Sequence, residues 1–313
     1  HSGKKDMAMI FSKTPCKVAG TFTTNRVKAA PVKWDREVVN SGNDAHVVVI
    51  NSGIANACTG KEGYDYCSQI AEKAAEALKV PAESVLVAST GVIGMQLPMD
   101  KINKGIGILS ENLGESKDYA NLAAEAIMTT DTHSKQTAVE VDIAGKKVTI
   151  GGMCKGSGMI HINMCTMLGF ISTDCNISKK MLQKALSETV QDTFNMVSVD
   201  GDTSTNDTVL LLANGQAGNA EITEENDDYF KFKEALVYVA TYLSKQIAGD
   251  GEGATALFEV KVINAASKAQ AVTLSKSIVT SSLTKAAIYG HDANWGRILC
   301  AMGYSGADFD PDK

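Results

Sequence analysis

Four consecutive β-branched residues, Val47-Val48-Val49-Ile50, present no polar side to water. Such a run predicts a strand covered on both faces, which requires packed layers above and below it. Residues 84–89 read the same way, and residues 7–11 form a third short apolar run. Between the first and third of these, residues 20–31 read as a polar loop or an edge strand. Helical spacing supplies the covering layers. Cys67, Ile70, Ala71, Ala74 and Leu78 recur on one face, with Pro81 just beyond the end. Ile102, Ile106, Leu109 and Leu113 mark a second helix, and Leu122, Ala126 and Ile127 a third.

Val139, Val141 and Ile143 alternate with polar residues, turn at Ala144-Gly145 and return through Val148 and Ile150, a hairpin signature. Ser178 predicts an N-cap for a helix carrying Leu182, Ala185, Leu186 and Val190. An apolar strand is expected over residues 209–212. Thr223 is expected to cap a longer helix with Phe232, Leu236, Val239, Leu243 and Ile247 on one face, broken at the Gly-rich residues 249–253. Phe258, Val260 and Val262 alternate as a strand, and a Ser/Ala-rich helix follows to about residue 283. Strands and helices mix without strict βαβ alternation, so the expected class is layered α+β rather than a doubly wound parallel sheet.

With 313 residues the chain can bury a large core as one big domain or two smaller ones, and its 44% hydrophobic content is that of a soluble globular protein. A net charge of −6 with no basic stripe argues against nucleic acid or an anionic membrane as partner. Seven cysteines without a CxxC pair indicate neither a disulfide framework nor a zinc site. Scattered cysteines of this kind suit a reducing compartment. Without an 18-residue apolar run or a signal-peptide pattern, the expected location is the cytoplasm. The start at His1-Ser2-Gly3, without Met, reads as a trimmed N-terminus.

The chemically suggestive stretch is Lys155-Gly-Ser-Gly-Met-Ile-His-Ile-Asn-Met-Cys-Thr-Met-Leu-Gly-Phe170. A Gly/Ser loop bearing one cation runs into an apolar segment with Thr166 in its middle. A Thr in such a run is ordinarily a strand residue. Were the bond before it broken, however, Thr166 would carry a hydroxyl and a free α-amine on one residue, a nucleophile with its own base. Two other motifs are decoys. Residues 152–157 have the letters of a phosphate loop in the wrong order, and residues 200–207 lack the central Gly and terminal Glu of a calcium-binding EF-hand.

Lys155-Gly-Ser-Gly-Met-Ile, Asn163-Met164 and Thr166-Met167-Leu168 resemble the self-cleavage motif of the ornithine acetyltransferases, the bifunctional glutamate N-acetyltransferases of arginine biosynthesis. Ser89-Thr90-Gly91-Val92-Ile93-Gly94, Met128-Thr129-Thr130-Asp131, the Asp200–Asp207 segment and Asn294-Trp295-Gly296-Arg297 continue the resemblance in order along the chain. It implies a layered α/β sandwich of mixed sheets flanked by helices, autocleavage between Cys165 and Thr166, and two chains, 1–165 and 166–313. Thr166 would be the nucleophile, with Thr90 and Gly91 as the oxyanion hole and Thr129, Lys155, Thr166 and Glu252 as substrate contacts. Lys155 and Glu252 together supply the two charge signs that a zwitterionic amino acid needs.

The implied reaction moves acetyl from N-acetylornithine to glutamate by a ping-pong route, with no metal and no cofactor, acetyl-CoA being an acetyl donor in some relatives. The implied assembly is a heterotetramer of two alpha and two beta chains. The alternatives are a self-processing aminopeptidase or amidase, in which water accepts the acyl group, and a truncated inactive homologue. The sequence departs from the pattern at Cys165, where Ala is usual, and at Ile162 and Ala293, where Pro is usual. The family pattern also extends past residue 313 with an Asn and a Ser or Thr that close the pocket, so the second chain is expected to be truncated at its C-terminus.

Overall fold

The longest strand, β1 (Met7–Phe22), divides its pairing between two neighbours. Its first part runs antiparallel to β2 (Ala45–Ile54), and its last residues, Lys17 to Phe22, run antiparallel to β7 (Thr208–Ala213). In this computed structural model, which describes residues 3–161 and 167–311, the remaining strands are β3 (Val85–Val92), β4 (Lys135–Ile143), β5 (Lys146–Lys155) and β6 (Leu168–Thr173). The sheet order is β3-β2-β1-β7-β6-β5-β4, with β2–β3 and β6–β7 parallel and the other neighbours antiparallel.

In a flat sheet β3 and β5, five places apart, would be separated by roughly 24 Å at the usual interstrand spacing. Yet the Lys155 Nζ at the end of β5 lies 3.5 Å from the Thr90 Oγ1 near the end of β3. The sheet therefore folds over at β1, whose ladder with β2 slips between Phe11 and Cys16. Side chains of both halves (Val48, Ile50, Leu86 and Ala88 with Met153, Phe170, Leu210 and Leu212) join one buried middle layer.

Helices cover the outer faces. Val47, Val49, Val85 and Val87 pack against α2 (Gly60–Leu78) and α3 (Met99–Glu111). Ile150, Ile171, Val209 and Leu211 pack against α5 (Lys179–Asp192) and α6 (Asp227–Gly249). Val38 and Val39 of α1 (Ala30–Ser41) and Ala124 and Ala126 of α4 (Lys117–Ala126) fill the middle layer. The Val47 to Ile50 run is thus covered on both faces, and the class is α+β with a mixed sheet, as expected. Three further helices, α7 (Lys268–Thr280), α8 (Ser282–Tyr289) and α9 (Trp295–Gly303), follow in the C-terminal part. Among the described residues no helix is long and apolar enough to cross a membrane.

Several local expectations are corrected. Residues 20–22 complete β1, and helix α1 begins at Ala30 with Pro31 in its first turn, where a missing N–H does no harm. It stops at Gly42, in the left-handed region with φ +89°. Ser178 does cap α5, its hydroxyl accepting the Met181 N–H, but α6 is capped by Asn226 rather than Thr223. The alternation of Phe258, Val260 and Val262 forms no strand, because no neighbouring strand among the described residues pairs with it. The Ser/Ala-rich helix is two helices, broken at Ser281, whose hydroxyl accepts the Thr284 N–H and starts α8.

Candidate active site

The fold-over brings four chain segments to one place. At the end of β3, Gly91 lies so close to Gly53 of β2 that a Cβ would sit 2.2 Å from the Gly53 carbonyl carbon, and its φ of +129° is open only to Gly. Thr90 beside it is buried, and its strand end is held by Asn206, whose amide donates to the Ser89 and Ala55 carbonyls at 2.7 and 2.6 Å. β3 continues through this motif to Val92 rather than stopping before it.

Lys155 arrives from the far end of β5. Only 2% exposed, it donates to the Thr129 hydroxyl at 2.7 Å and to the Thr90 hydroxyl at 3.5 Å, and its Nζ lies 3.8 Å from Asp131 Oδ2. Burial lowers the Lys155 pKa below the ordinary lysine value, and the like charge of Lys135 adds to this, while Asp131, Asp207 and Glu252 oppose it. Glu252 follows α6 and is exposed. Its N–H donates to the Ser157 carbonyl at 3.0 Å, and its carboxylate lies where a Cβ on Gly158 would stand, 2.4 Å from Oε1. Gly158 of the Lys155-Gly-Ser-Gly loop therefore admits the carboxylate. Thr90, Gly91, Thr129, Lys155 and Glu252 share one site in this structure. Cys165 and Thr166 lie outside the described residues.

The described chain is anchored at Met167, just after those two, and at Met159 and Ile160 further upstream. Met167 N–H donates to Asp207 Oδ1 at 3.1 Å, and burial raises the Asp207 pKa well above the ordinary carboxylate value. On the other side, the Asp200 carboxylate accepts the N–H groups of Met159 and Ile160 at 2.6 and 2.8 Å. Both aspartates belong to the 200–207 loop.

Sequence reasoning missed the acids and the cation beneath the site. Asp131 stands in the quoted Thr-Thr-Asp motif and Asp250 in the Gly-rich break after the long helix, but nothing in the sequence singles out Lys135. Lys135 Nζ donates to Asp131 Oδ1 at 2.7 Å and to Asp250 Oδ2 at 2.6 Å, with the Lys135 and Asp131 side chains fully buried. Burial would raise the Asp131 pKa, but the charges of Lys155 and Lys135 and the Gly156 N–H outweigh it and hold the carboxyl below its ordinary value. A cavity of about 500 Å³ opens beside Glu252, between residues 253–260 and helices α6 to α8.

An ammonium, two Thr hydroxyls and an exposed carboxylate of opposite charge can hold a zwitterionic substrate and present donors to a polarised carbonyl. Among the described residues no group of three His, Cys, Asp or Glu could hold a metal ion. Burial keeps Cys175 protonated, its pKa pushed up to about 12.

The model of the ArgJ family matches residues 1–313. The arginine biosynthesis bifunctional protein ArgJ 1 of Clostridium acetobutylicum is 56% identical over 312 residues, covering 100% of this chain and 76% of that protein. The arginine biosynthesis bifunctional protein ArgJ of Thermotoga neapolitana is 53% identical over 311 residues, covering 99% and 78%. Among solved structures, the arginine biosynthesis bifunctional protein ArgJ of Bacillus halodurans is 40% identical, with a TM-score of 0.49, covering 53% of this chain and 85% of that one. The ornithine acetyltransferase of Mycobacterium tuberculosis, complexed with ornithine, is 37% identical, with a TM-score of 0.47, covering 52% and 83%.

Proposed function

Because the chain belongs to the ArgJ family, we propose that it moves acetyl from N-acetylornithine to glutamate through an acyl-enzyme on Thr166, acting in the cytoplasm. As a member of that family it is an acetyltransferase of arginine biosynthesis. Maturation begins when the Thr166 hydroxyl attacks the Cys165 carbonyl carbon. The peptide C–N bond breaks, its nitrogen becomes the Thr166 α-amine, and water hydrolyses the ester to leave chains 1–165 and 166–313. In turnover the same hydroxyl attacks the acetyl carbonyl while the α-amine takes its proton. Ornithine leaves with a proton on its nitrogen, and the glutamate amine then attacks the acetyl ester.

In this reading Thr90 and Gly91 supply donors to the oxyanion, and Lys155, Thr129 and Glu252 bind the amino-acid part of the substrate. The carrying observation is the convergence on Lys155. Its Nζ, from the end of β5, meets Thr129 at 2.7 Å and also Thr90 at 3.5 Å, on a strand that approaches only because the sheet folds over. The assembly we propose is two copies of each chain.

Intact-mass spectrometry of the purified protein tests the nucleophile. Two species that divide before Thr166 are expected, and one uncut species with Thr166→Ala. Acetyl transfer to glutamate from N-acetylornithine and from acetyl-CoA, assayed in parallel, identifies the donor. Acetate release that needs no glutamate would replace the transferase reading with a hydrolase. An uncut chain that transfers acetyl at full rate would end the proposal.

A further inference from the structure

We propose that Lys135 is a positioning residue for this site, a buried cation that fixes Lys155 and the Glu252 turn relative to each other through Asp131 and Asp250. The inference rests on the reading that Lys155 and Glu252 contact substrate. Lys135 opens β4, where its ladder partner is Cys154, the residue before Lys155. All three of its ammonium protons are used, by Asp131 Oδ1 at 2.7 Å, Asp250 Oδ2 at 2.6 Å and the His133 carbonyl at 3.3 Å.

Each aspartate then reaches one side of the site. Asp131 accepts the Gly156 N–H at 2.7 Å and the Thr129 N–H at 3.1 Å, and its second oxygen faces Lys155. Asp250 accepts the Thr132 N–H at 3.0 Å and also the Thr132 hydroxyl, and its own carbonyl takes the Ser157 hydroxyl at 2.6 Å. Two residues on, Glu252 N–H closes onto the Ser157 carbonyl. One cation thus joins the Thr129 to Asp131 turn, the Lys155 to Gly158 loop and the Asp250 to Glu252 turn. Buried ion networks of this kind give little net stability over well-packed apolar residues. What an apolar replacement cannot supply is a set of fixed acceptors on either side of Lys155.

The charged groups facing Lys155 are Asp131, Lys135, Asp207 and Glu252. Removing the Lys135 charge takes away a repulsion and leaves Asp131 to Lys155 alone, so the Lys155 ammonium should hold its proton to higher pH. The test is a titration of 13Cε-lysine-labelled protein by NMR, with the Lys155 signal assigned by its loss in Lys155→Met. Lys135→Met is compared with Lys135→Met/Asp250→Asn, which restores the balance of buried charge.

The expected result is a Lys155 midpoint raised by about one pH unit. A fall in kcat/KM for N-acetylornithine on the order of 10²-fold should accompany it, carried mainly by KM. An unchanged midpoint with unchanged KM in either folded variant overturns the proposal. So does failure of both variants to fold, which would assign Lys135 to stability alone. The NMR midpoint is read without turnover, so wild-type protein that transfers no acetyl defeats the functional reading and leaves this coupling to be decided separately.

Discussion

Asp35 and Asp131 are both withdrawn from solvent, yet their surroundings drive them in opposite directions. Asp35, on α1, accepts the Val87 N–H at 2.8 Å through one oxygen, and its other oxygen has no partner among the described residues. Burial raises its pKa well above the ordinary carboxylate value, and that single N–H does not offset it. Asp131 has both oxygens engaged and two lysines beside it, and its pKa falls below the ordinary value. Depth alone therefore does not decide ionisation in this protein. At Asp131 two lysines outweigh burial, whereas at Asp207 the single cation Lys155 does not. Around the site, Lys135 and Lys155 balance Asp131 and Asp250, so charges persist there that the packing around Asp35 would neutralise.

The contrast is broken most severely by Asp131→Asn, which strands two buried lysines. A loss of about 3–5 kcal/mol is expected in urea unfolding, with acetyl transfer falling alongside. Gly91→Ala comes next. It sets a Cβ against the Gly53 backbone at a φ closed to Ala, and about 3 kcal/mol of destabilisation by the same measurement is expected, with activity lost.

Asp35→Asn sharpens the comparison through pH. A carboxyl whose folded pKa is raised binds its proton more tightly when folded. Its contribution is therefore complete below the unfolded value near 4 and is lost as pH rises through the folded value. The variant should be the more stable protein at neutral pH and should lack a downward slope of up to about 1.4 kcal/mol per pH unit, read from urea midpoints between pH 5 and 8. Ser178→Ala, remote from both acids, serves as the reference. Losing the α5 cap should cost about 1 kcal/mol with no change in acetyl transfer.

What could be read from the sequence follows the range of the interactions involved. The Val47 to Ile50 strand, the 139–150 hairpin and the Ser178 cap each depend on neighbours a few residues away. Helix α1 escaped because Pro31 reads as a breaker when its first-turn position is unknown. The strand expected at Phe258 to Val262 failed for the complementary reason, since alternation describes a strand's faces but not whether another strand lies alongside. Thr90, Thr129, Lys155 and Glu252 could be nominated from the motifs that carry the family resemblance, and the structure brings them together. The Lys135–Asp250 bridge, between residues 115 apart, could not, because it exists only once α6 packs across β4 and β5.

The sheet order has a further consequence for a chain cut after residue 165. β6 and β7, from the second piece, would be flanked by β1 on one side and β5 on the other, both from the first. Neither fragment would own a finished sheet. Each would supply the rungs the other lacks along two separate seams, so dilution or gel filtration should not part them, and strong denaturant should. Halves produced from separate genes would have to meet before either could complete its core.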